Sequence, residues 1–386
     1  MRRTLVLLCA IGLSACSEAP TSPLGDDERT AFLDSLRIPE TRSFTLGFTP
    51  WPYDFTDQAE AETYDALAAH SDLVAFHLDK GVPWEEARVG DPFPDNVQRQ
   101  LDRMLDEADR FETVYVSATP QAQDRASLAL VWGSGEHQPL PAAWETRAFD
   151  HPDVVAAYVA YCRRLIAFFD PDYFAYGIEV NGGLQLDHPN YVAFRSFAEQ
   201  VYAALKADHP DLPIFLTFQT GSSVATWEEQ WAVNRDLVAL SDLVGMSTYP
   251  FWVSGLYEPE AADVSYLPGD WFAQMAALAP EKPFVIAETG YIAERLQLPG
   301  VLSVDGRELW QARYVDQMLW SAHQLDAEFV VWFVNRDYDQ GWERLVDVGL
   351  DDDVFLIWRD TGLLDSSGDE RLGMEVWDRW LAQPRR

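Results

Sequence analysis

The chain has 386 residues and a formal net charge of −35, and its only lysines are Lys80, Lys206 and Lys282. Such an acidic surface repels nucleic acid and anionic lipid, so both are excluded as ligands. Aromatic residues make up 13% of the chain and include 15 tryptophans, which is enough for a large hydrophobic core and excludes disorder for most of the sequence.

Three features at the N-terminus predict export: a basic start at residues 1–3, a short apolar segment at residues 4–13, and the run Leu13-Ser14-Ala15-Cys16. The apolar segment is too short to span a membrane as a permanent helix, which is typical of a signal peptide. The run resembles the lipobox of bacterial lipoproteins. This resemblance implies a signal peptide over residues 1–15 and a lipid on Cys16 that anchors the protein to the cell envelope or cell surface, outside the cytoplasm. An ordinary signal peptide with an incidental cysteine is the alternative.

The residues after Cys16 are polar and include Pro20, Pro23 and Gly25, which predicts a flexible tether over residues 16–40. No linker interrupts residues 41–386, so we expect a single domain there. The only other cysteine of the mature chain, Cys162, lies in a helical pattern and is expected to be buried. The mature chain therefore has no intramolecular disulfide and no cysteine-based metal site.

Apolar runs that predict buried strands alternate with helical patterns along the domain. The predicted strands are residues 44–49, 73–79, 113–120, 173–181, 213–220, 243–250, 283–291 and 329–335. Eight alternations of this kind predict a (β/α)₈ TIM barrel of the α/β class. A doubly wound open sheet is the alternative, and the absence of a glycine-rich phosphate loop after the first strand disfavours it. The long loop at residues 121–150 is expected to be functional.

Two of these buried strands end in a glutamate, Glu179 in the fourth and Glu288 in the seventh. A carboxylate beside an apolar run is costly unless it is paired or opens into a polar site. Because the active site of a barrel forms where its strands end, both glutamates are candidates for a catalytic pair. A separation of about 5–5.5 Å would suit a retaining glycosidase, and about 6.5–9.5 Å an inverting one. Two separate structural acids are the alternative.

The two glutamates, together with Tyr249 ending the sixth strand and Trp332 on the eighth, resemble clan A of the glycoside hydrolases. Within the clan, the motifs around Glu179 (Gly177 to Val180) and Glu288 (Ile286 to Tyr291) are most similar to the family 53 endo-β-1,4-galactanases. The resemblance implies retaining hydrolysis of a β-linked glycan without a cofactor. It further implies that Glu288 is the nucleophile, Glu179 the general acid/base, Tyr249 a hydrogen-bond donor to the nucleophile, and Trp332 the floor of the sugar subsite next to the cleaved bond.

One position departs from the clan, which has an asparagine directly before its acid/base in contact with the sugar 2-hydroxyl. Here that residue is Ile178. Asn181 is two residues beyond Glu179, so in an extended strand both side chains share a face, and we expect Asn181 to take over the contact. The substitution also motivates an alternative function, a non-catalytic glycan-binding surface lipoprotein on a glycosidase barrel.

Further polar and aromatic residues follow the predicted strands and are expected to line the mouth of the barrel as substrate-binding residues. They are His77, Asp79, Trp51, Asp54, Trp84, Trp252 and Asn335. Core packing or ion pairing is the alternative for each of them. We predict no metal site, because no pair of histidines has helical spacing and the run at residues 351–353 does not match a calcium loop. The aromatic rim favours an oligosaccharide or polysaccharide as the substrate.

Overall fold

The computed structural model describes residues 25–221, 223–253, 255–257, 261–299, 301–350 and 352–386. The predicted signal peptide, the lipidation site Cys16 and the first part of the predicted tether lie outside these residues. No helix in the described ranges is long and apolar enough to cross a membrane.

Eleven strands are present in the described residues, and nine of them form one parallel sheet. Along the sheet the order is β5, β4, β3, β2, β1, β11, β8, β7, β6. The two strands at its ends, β5 and β6, are separated in the chain by Leu216 alone, so the sheet closes on itself and the predicted (β/α)₈ barrel is confirmed. The bounds are β1 Thr45–Phe48, β2 Leu73–Leu78, β3 Thr113–Ala118, β4 Tyr173–Ala175, β5 Ile214–Phe215, β6 Thr217–Gln219, β7 Val244–Thr248, β8 Phe284–Thr289, β9 Leu296–Leu298, β10 Leu302–Val304 and β11 Phe329–Trp332.

The helices occupy the outside of the barrel or lie in the loops between strands. Their bounds are α1 Asp26–Ser35, α2 Asp57–His70, α3 Trp84–Val89, α4 Asp95–Ala108, α5 Ala142–Glu145, α6 Pro152–Phe169, α7 Tyr191–Asp208, α8 Trp227–Leu237, α9 Trp271–Ala276, α10 Glu308–Gln324, α11 Asp339–Val348, α12 Leu356–Arg359 and α13 Leu372–Leu381. Cys162 lies in α6 and is buried. Strands β9 and β10 form an antiparallel hairpin in the loop after β8.

Successive side chains along a strand point to opposite faces of the sheet, and this divides the hydrophobic side chains into two cores. One fills the barrel, with side chains such as Leu73, Tyr115, Phe215 and Phe329, and the other lies between the sheet and the helices. Tyr115 stacks on Phe215 with ring centroids 5.6 Å apart and lies 5.0 Å from Phe329. These large rings leave little room, and the neighbouring inward position on β1 is the small residue Gly47.

The structure differs from the predicted tether at residues 26–40. Helix α1 begins with three acidic residues, Asp26 to Glu28, which are favourable at a helix N-terminus. Phe32 and Leu33 pack against the hydrophobic core, and Arg29 forms an ion pair with Glu375 on α13. The helix therefore belongs to the folded domain, because its apolar side chains have a surface to pack on.

Replacing Gly47 by alanine should destabilise the barrel. An alanine Cβ at this position would lie 2.5 Å from the carbonyl oxygen of Leu73, its neighbour on β2, and a backbone atom cannot move aside as a flexible side chain can. We expect Gly47→Ala to lower the free energy of unfolding by about 1–3 kcal/mol in urea titrations. Gly269→Ala is the matched control, because nothing lies within 4 Å of its added Cβ. Equal stability of the two variants would contradict the packing described for β1 and β2.

Candidate active site

Glu288 lies near the end of β8, where two side chains from other strands hold its carboxylate. The Tyr249 hydroxyl, just after β7, donates a hydrogen bond of 2.6 Å to Oε1. His77 on β2 reaches it from across the barrel mouth, with Nδ1 3.1 Å from Oε2. Both oxygens of Glu288 are therefore engaged, which fixes the orientation of the carboxylate.

These contacts decide the charge state of Glu288. Burial opposes ionisation, but the positive charge and hydrogen bond of His77, with the Tyr249 hydroxyl and the more distant Arg125, hold the pKa of Glu288 below its usual value. Burial also opposes a charged imidazole, yet the Glu288 carboxylate raises the pKa of His77. The two shifts favour an ionised Glu288 carboxylate beside a protonated His77.

Glu179 does not close a strand as predicted, because β4 ends at Ala175 and the chain then turns. The backbone of Glu179 adopts a left-handed conformation with φ of 49°, which is uncommon for a residue other than glycine. Thr217 stabilises this turn: its hydroxyl accepts from the Glu179 N–H at 2.8 Å and its carbonyl accepts from the Val180 N–H at 3.1 Å. The turn directs the Glu179 side chain into the barrel mouth.

The Glu179 carboxylate has two different neighbours. The Ser247 hydroxyl donates 2.6 Å to Oε1, and Nη2 of Arg125 lies 3.6 Å from Oε2. Burial raises the pKa of Glu179; the Arg125 guanidinium opposes this rise, whereas the negative charge of Glu288 adds to it. The net direction is upward, opposite to that of Glu288.

Ser247 connects the two glutamates. It lies on β7, where its Cα is the register partner of Glu288 on β8, while its hydroxyl binds Glu179. Ser247 thus lies beside Glu288 on the neighbouring strand and binds Glu179, so both carboxyl groups face the same mouth. Two neighbouring acids with opposite pKa shifts can act as a proton donor and an anionic nucleophile at one substrate bond.

Arg125 and Asp79 complete the group of charges. Asp79 follows β2, and its Oδ2 lies 2.8 Å from Nη1 of Arg125. Sequence analysis missed Arg125, because a single arginine inside a long loop carries no periodic signal. It also missed Ser247. That residue is two positions before Tyr249 in the same predicted strand, so the two side chains share a face, and this could have identified Ser247 as a residue of the site.

Aromatic rings form one edge of the site. Trp51 after β1 packs against Phe333 after β11 with ring centroids 5.6 Å apart. Phe333 lies 6.1 Å from Trp358 on α12, which in turn lies 5.9 Å from the Tyr249 ring. This aromatic edge, defined as Trp51, Phe333, Trp358 and Tyr249, ends at the residue that binds Glu288. Neither Phe333 nor Trp358 was singled out from the sequence.

The structure places three of the predicted substrate-binding residues outside the mouth. Trp332 is fully buried, and its Nε1 donates to the Thr361 carbonyl at 2.9 Å. Strand alternation explains this: Val331 fills the barrel, so Trp332 faces the helices, and the ring at the mouth is the next one, Phe333. Trp84 is buried likewise, with Nε1 bound to the Ala129 carbonyl at 2.8 Å.

Asn181 is the third of these residues. Its Nδ2 donates to the Gln219 carbonyl and its Oδ1 accepts from the Gln219 N–H, both at 2.7 Å. The expected strand parity with Glu179 does not apply, since the chain is not extended between them. Asn181 instead pins the turn after β4 to β6.

The remaining candidates lie around the mouth with partly structural roles. Asp54 is buried and paired with Arg344 on α11, with Nη2 2.8 Å from Oδ2. Asn335 is buried, and its backbone carbonyl accepts from Leu364 at 2.8 Å. Trp252, in a short turn after β7, is half-buried.

Acidic side chains also cluster away from the two glutamates, where they face arginines. Ligand atoms of Asp337, Asp339 and Asp360 lie within 4.8 Å of one another. Asp337, however, is paired with Arg371, and Asp360 accepts two hydrogen bonds from Arg359, the shorter of them 2.8 Å. Arginine already supplies the positive charge that a cation would bring to this cluster.

No protein-family model matches the chain, and no curated protein matches it in sequence. Solved structures do match its fold. A GH5_18 protein from Streptomyces cattleya in complex with Manβ1-4GlcNAc has a TM-score of 0.61 and 17% identity, with 89% of this chain and 83% of that chain covered. The GH53 catalytic domain of Ignisphaera aggregans has a TM-score of 0.55 and 15% identity, with 89% and 97% covered.

An exo-β-1,4-mannosidase from an Opitutaceae bacterium has a TM-score of 0.58 and 17% identity over 90% of this chain, which spans 60% of the mannosidase chain. At these identities the likeness concerns the fold. The protein has a (β/α)₈ barrel of the kind that glycoside hydrolases of these groups use.

The pairing of His77 with Glu288 can be tested by titration. Glu288→Gln removes the charge that stabilises the imidazolium while burial remains, so the pKa of His77 should fall from above its ordinary value of about 6.5 to below it. Ring ¹H–¹⁵N NMR spectra against pH would measure this, with the His77 signal assigned from a His77→Gln spectrum. His70, which pairs with Asp378 at 2.9 Å, is the internal control and should not change. An unchanged pKa of His77 would contradict the pairing.

Proposed function

We propose that this protein is a retaining glycoside hydrolase that cleaves a β-linked oligosaccharide or polysaccharide. The observation that carries the proposal is the pair of partly buried glutamates, Glu179 and Glu288, which face one mouth on either side of Ser247 and whose pKa values are shifted in opposite directions. The retaining arrangement is what the clan A resemblance of the two motifs implies.

In the first step, the Glu288 carboxylate attacks the anomeric carbon and forms a carbon–oxygen bond, while Glu179 gives its proton to the departing glycosidic oxygen. In the second, the ionised Glu179 takes a proton from water, whose oxygen attacks the anomeric carbon and releases Glu288. His77 and Tyr249 orient Glu288 and lower its pKa, which favours the anion that attacks. Burial and the charge of Glu288 raise the pKa of Glu179, which favours the protonated form that the first step needs.

A neutral glycan suits the charge of the protein. The net charge of −35 would repel a polyanionic substrate such as a polyuronate. The aromatic edge offers ring faces on which sugar C–H faces stack. The structurally similar proteins include an exo-β-1,4-mannosidase and a protein in complex with Manβ1-4GlcNAc, and the two glutamate motifs resemble those of galactanases. β-Mannosides and β-galactans are therefore the first substrates to test.

One observation favours the second candidate, a glycan-binding protein without catalysis. The residue before Glu179 is Ile178, which is apolar and buried, so no polar side chain reaches the substrate from that position. This candidate predicts sugar affinity with no turnover.

The two candidates separate in an assay of reducing-sugar release from β-mannans, β-galactans, β-glucans and β-xylans. We expect turnover on one of them, reduced about 10²–10⁴-fold or more in both Glu179→Gln and Glu288→Gln. Glu375→Gln on α13 is the matched control and should keep full activity. NMR of the first-formed product should show the β-anomer, as retention requires.

Turnover that survives both substitutions would refute the two-glutamate assignment, and an α-anomer as first product would refute retention. Glycan binding without turnover in the wild type would establish the second candidate instead.

We further propose that the mature protein is held at the cell envelope by a lipid on Cys16. The support is the lipobox-like run before that residue. Growth with a clickable palmitate analogue should label the full-length protein, and Cys16→Ala should abolish the label, with Cys162→Ala as the control that retains it. Equal labelling of the Cys16→Ala variant would refute the anchor.

A further inference from the structure

Glycoside cleavage through an oxocarbenium-like transition state gains from a hydrogen bond to the sugar 2-hydroxyl, because that bond strengthens as the transition state forms. The sequence offered Ile178 or Asn181 near this hydroxyl. Ile178 has no polar side-chain atom, and both amide atoms of Asn181 bind the Gln219 backbone at 2.7 Å. The partner of the 2-hydroxyl must therefore come from another element.

Arg125 is a suitable donor at the right place. Its side chain is 13% exposed, and Nη1 lies 2.8 Å from Asp79 while Nη2 lies 3.6 Å from Oε2 of Glu179. A separation of 3.6 Å is too long for a hydrogen bond, and a guanidinium has five N–H groups. Within the residues that the structure describes, Nη2 donates no hydrogen bond to the protein, so its N–H groups can serve a ligand.

The hydrogen bond from Ser247 to Glu179 indicates where a ligand atom that binds Nη2 of Arg125 would lie. Oε1 of Glu179 accepts from Ser247, which leaves Oε2 as the oxygen without a hydrogen bond from a neighbouring hydroxyl. Nη2 of Arg125 is the neighbour of Oε2, so a sugar placed to take a proton from Glu179 would lie within reach of Nη2. The substituent nearest the cleaved bond on the sugar being transferred is the hydroxyl on the carbon beside the anomeric carbon.

We propose that Arg125 binds the 2-hydroxyl of the sugar whose glycosidic bond is cleaved, and that this contact selects substrates carrying that hydroxyl. The inference rests on the proposed glycosidase function. Asp79 keeps the guanidinium charged and fixed in direction, and the two charges offset each other in the buried mouth. The binding site is thus built from the loop after β3 rather than from the strand that carries Glu179.

The loop is shaped to present this side chain. Arg125 has a left-handed backbone with φ of 53°, and its carbonyl accepts a 2.5 Å hydrogen bond from Nε2 of Gln121. A Cβ on Gly182 would lie 3.0 Å from Cγ of Arg125 and one on Gly183 would collide with the Asp124 carbonyl. The two glycines after Glu179 therefore let the loop lie directly on the turn that carries the acid.

A comparison of substrates with and without the hydroxyl tests the contact. The measurement is kcat/KM for the 4-nitrophenyl β-glycoside of the sugar found above and for its 2-deoxy analogue, with wild type and Arg125→Met. We expect Arg125→Met to lower the ratio of kcat/KM for the 2-hydroxy substrate to kcat/KM for the 2-deoxy substrate on the order of 10–100-fold. Only the 2-hydroxy substrate loses a transition-state contact when Arg125 is replaced. Differences in intrinsic reactivity between the substrates cancel in this change of ratio.

Two further variants make the result specific. Arg147→Met lies in the same loop, is similarly buried at 17% exposure and pairs with Asp153 instead of a mouth carboxylate, so it should keep the wild-type ratio. Arg125→Lys keeps the charge beside Asp79 but not the planar fork, so it should lose part of the discrimination while the pH profile of kcat/KM stays close to wild type. An unchanged ratio in Arg125→Met or in Arg125→Lys would overturn the proposal.

A binding measurement separates this inference from the proposed function. Calorimetric titration of the free sugar and its 2-deoxy form needs no turnover, and the wild type should prefer the 2-hydroxy sugar while Arg125→Met should not. If the wild type hydrolyses no glycoside but shows this Arg125-dependent preference, the glycosidase function fails and the binding role of Arg125 stands. An equal preference in both proteins, or no binding of either sugar by the wild type, would overturn the role of Arg125.

Discussion

The site depends on charges that the barrel holds in a buried mouth. Three carboxylates, Glu179, Glu288 and Asp79, are tolerated there because His77 and Arg125 lie among them. An unpaired buried charge would be strongly destabilising, so the fold tolerates each carboxylate only because a positively charged side chain lies beside it. The partners come from β2 and from the loop after β3, whereas the two glutamates come from the turn after β4 and from β8, so the closed barrel is what brings them together.

The asymmetry between the two glutamates follows from this arrangement. Glu288 is bound on both oxygens by the His77 imidazole and the Tyr249 phenol, while Glu179 has a hydroxyl on one oxygen and a guanidinium beyond hydrogen-bond distance on the other. Burial acts on both residues in the same direction. The difference in partners shifts the pKa of Glu288 down and that of Glu179 up, which is the asymmetry that the proposed retaining mechanism would use.

Local backbone geometry supports the same division. Glu179 adopts a left-handed conformation that costs about 1–3 kcal/mol. It is stabilised by hydrogen bonds that Thr217 accepts from the Glu179 and Val180 N–H groups, and by the packing of Gly182 and Gly183 against the loop after β3. The turn brings the Glu179 side chain to Ser247 and Arg125, so the strained backbone of this one residue determines where its carboxyl group lies.

The sequence by itself determined the barrel and indicated the two glutamates that the structure brings to its mouth, because buried strands and the polar residues at their ends are local patterns that can be recognised without knowledge of the fold. It also indicated Tyr249 and His77, which the structure places on Glu288. Only the tertiary structure decided the surroundings of Glu179. Asn181 was placed by strand parity, which fails because the chain turns after Ala175. Trp332 was placed by the resemblance to clan A, and the structure differs because Val331 fills the barrel and Trp332 faces the helices. Arg125 and Trp358 come from loops far away in sequence, and no local pattern encodes which loop residue reaches a site that folding assembles from the ends of separate strands.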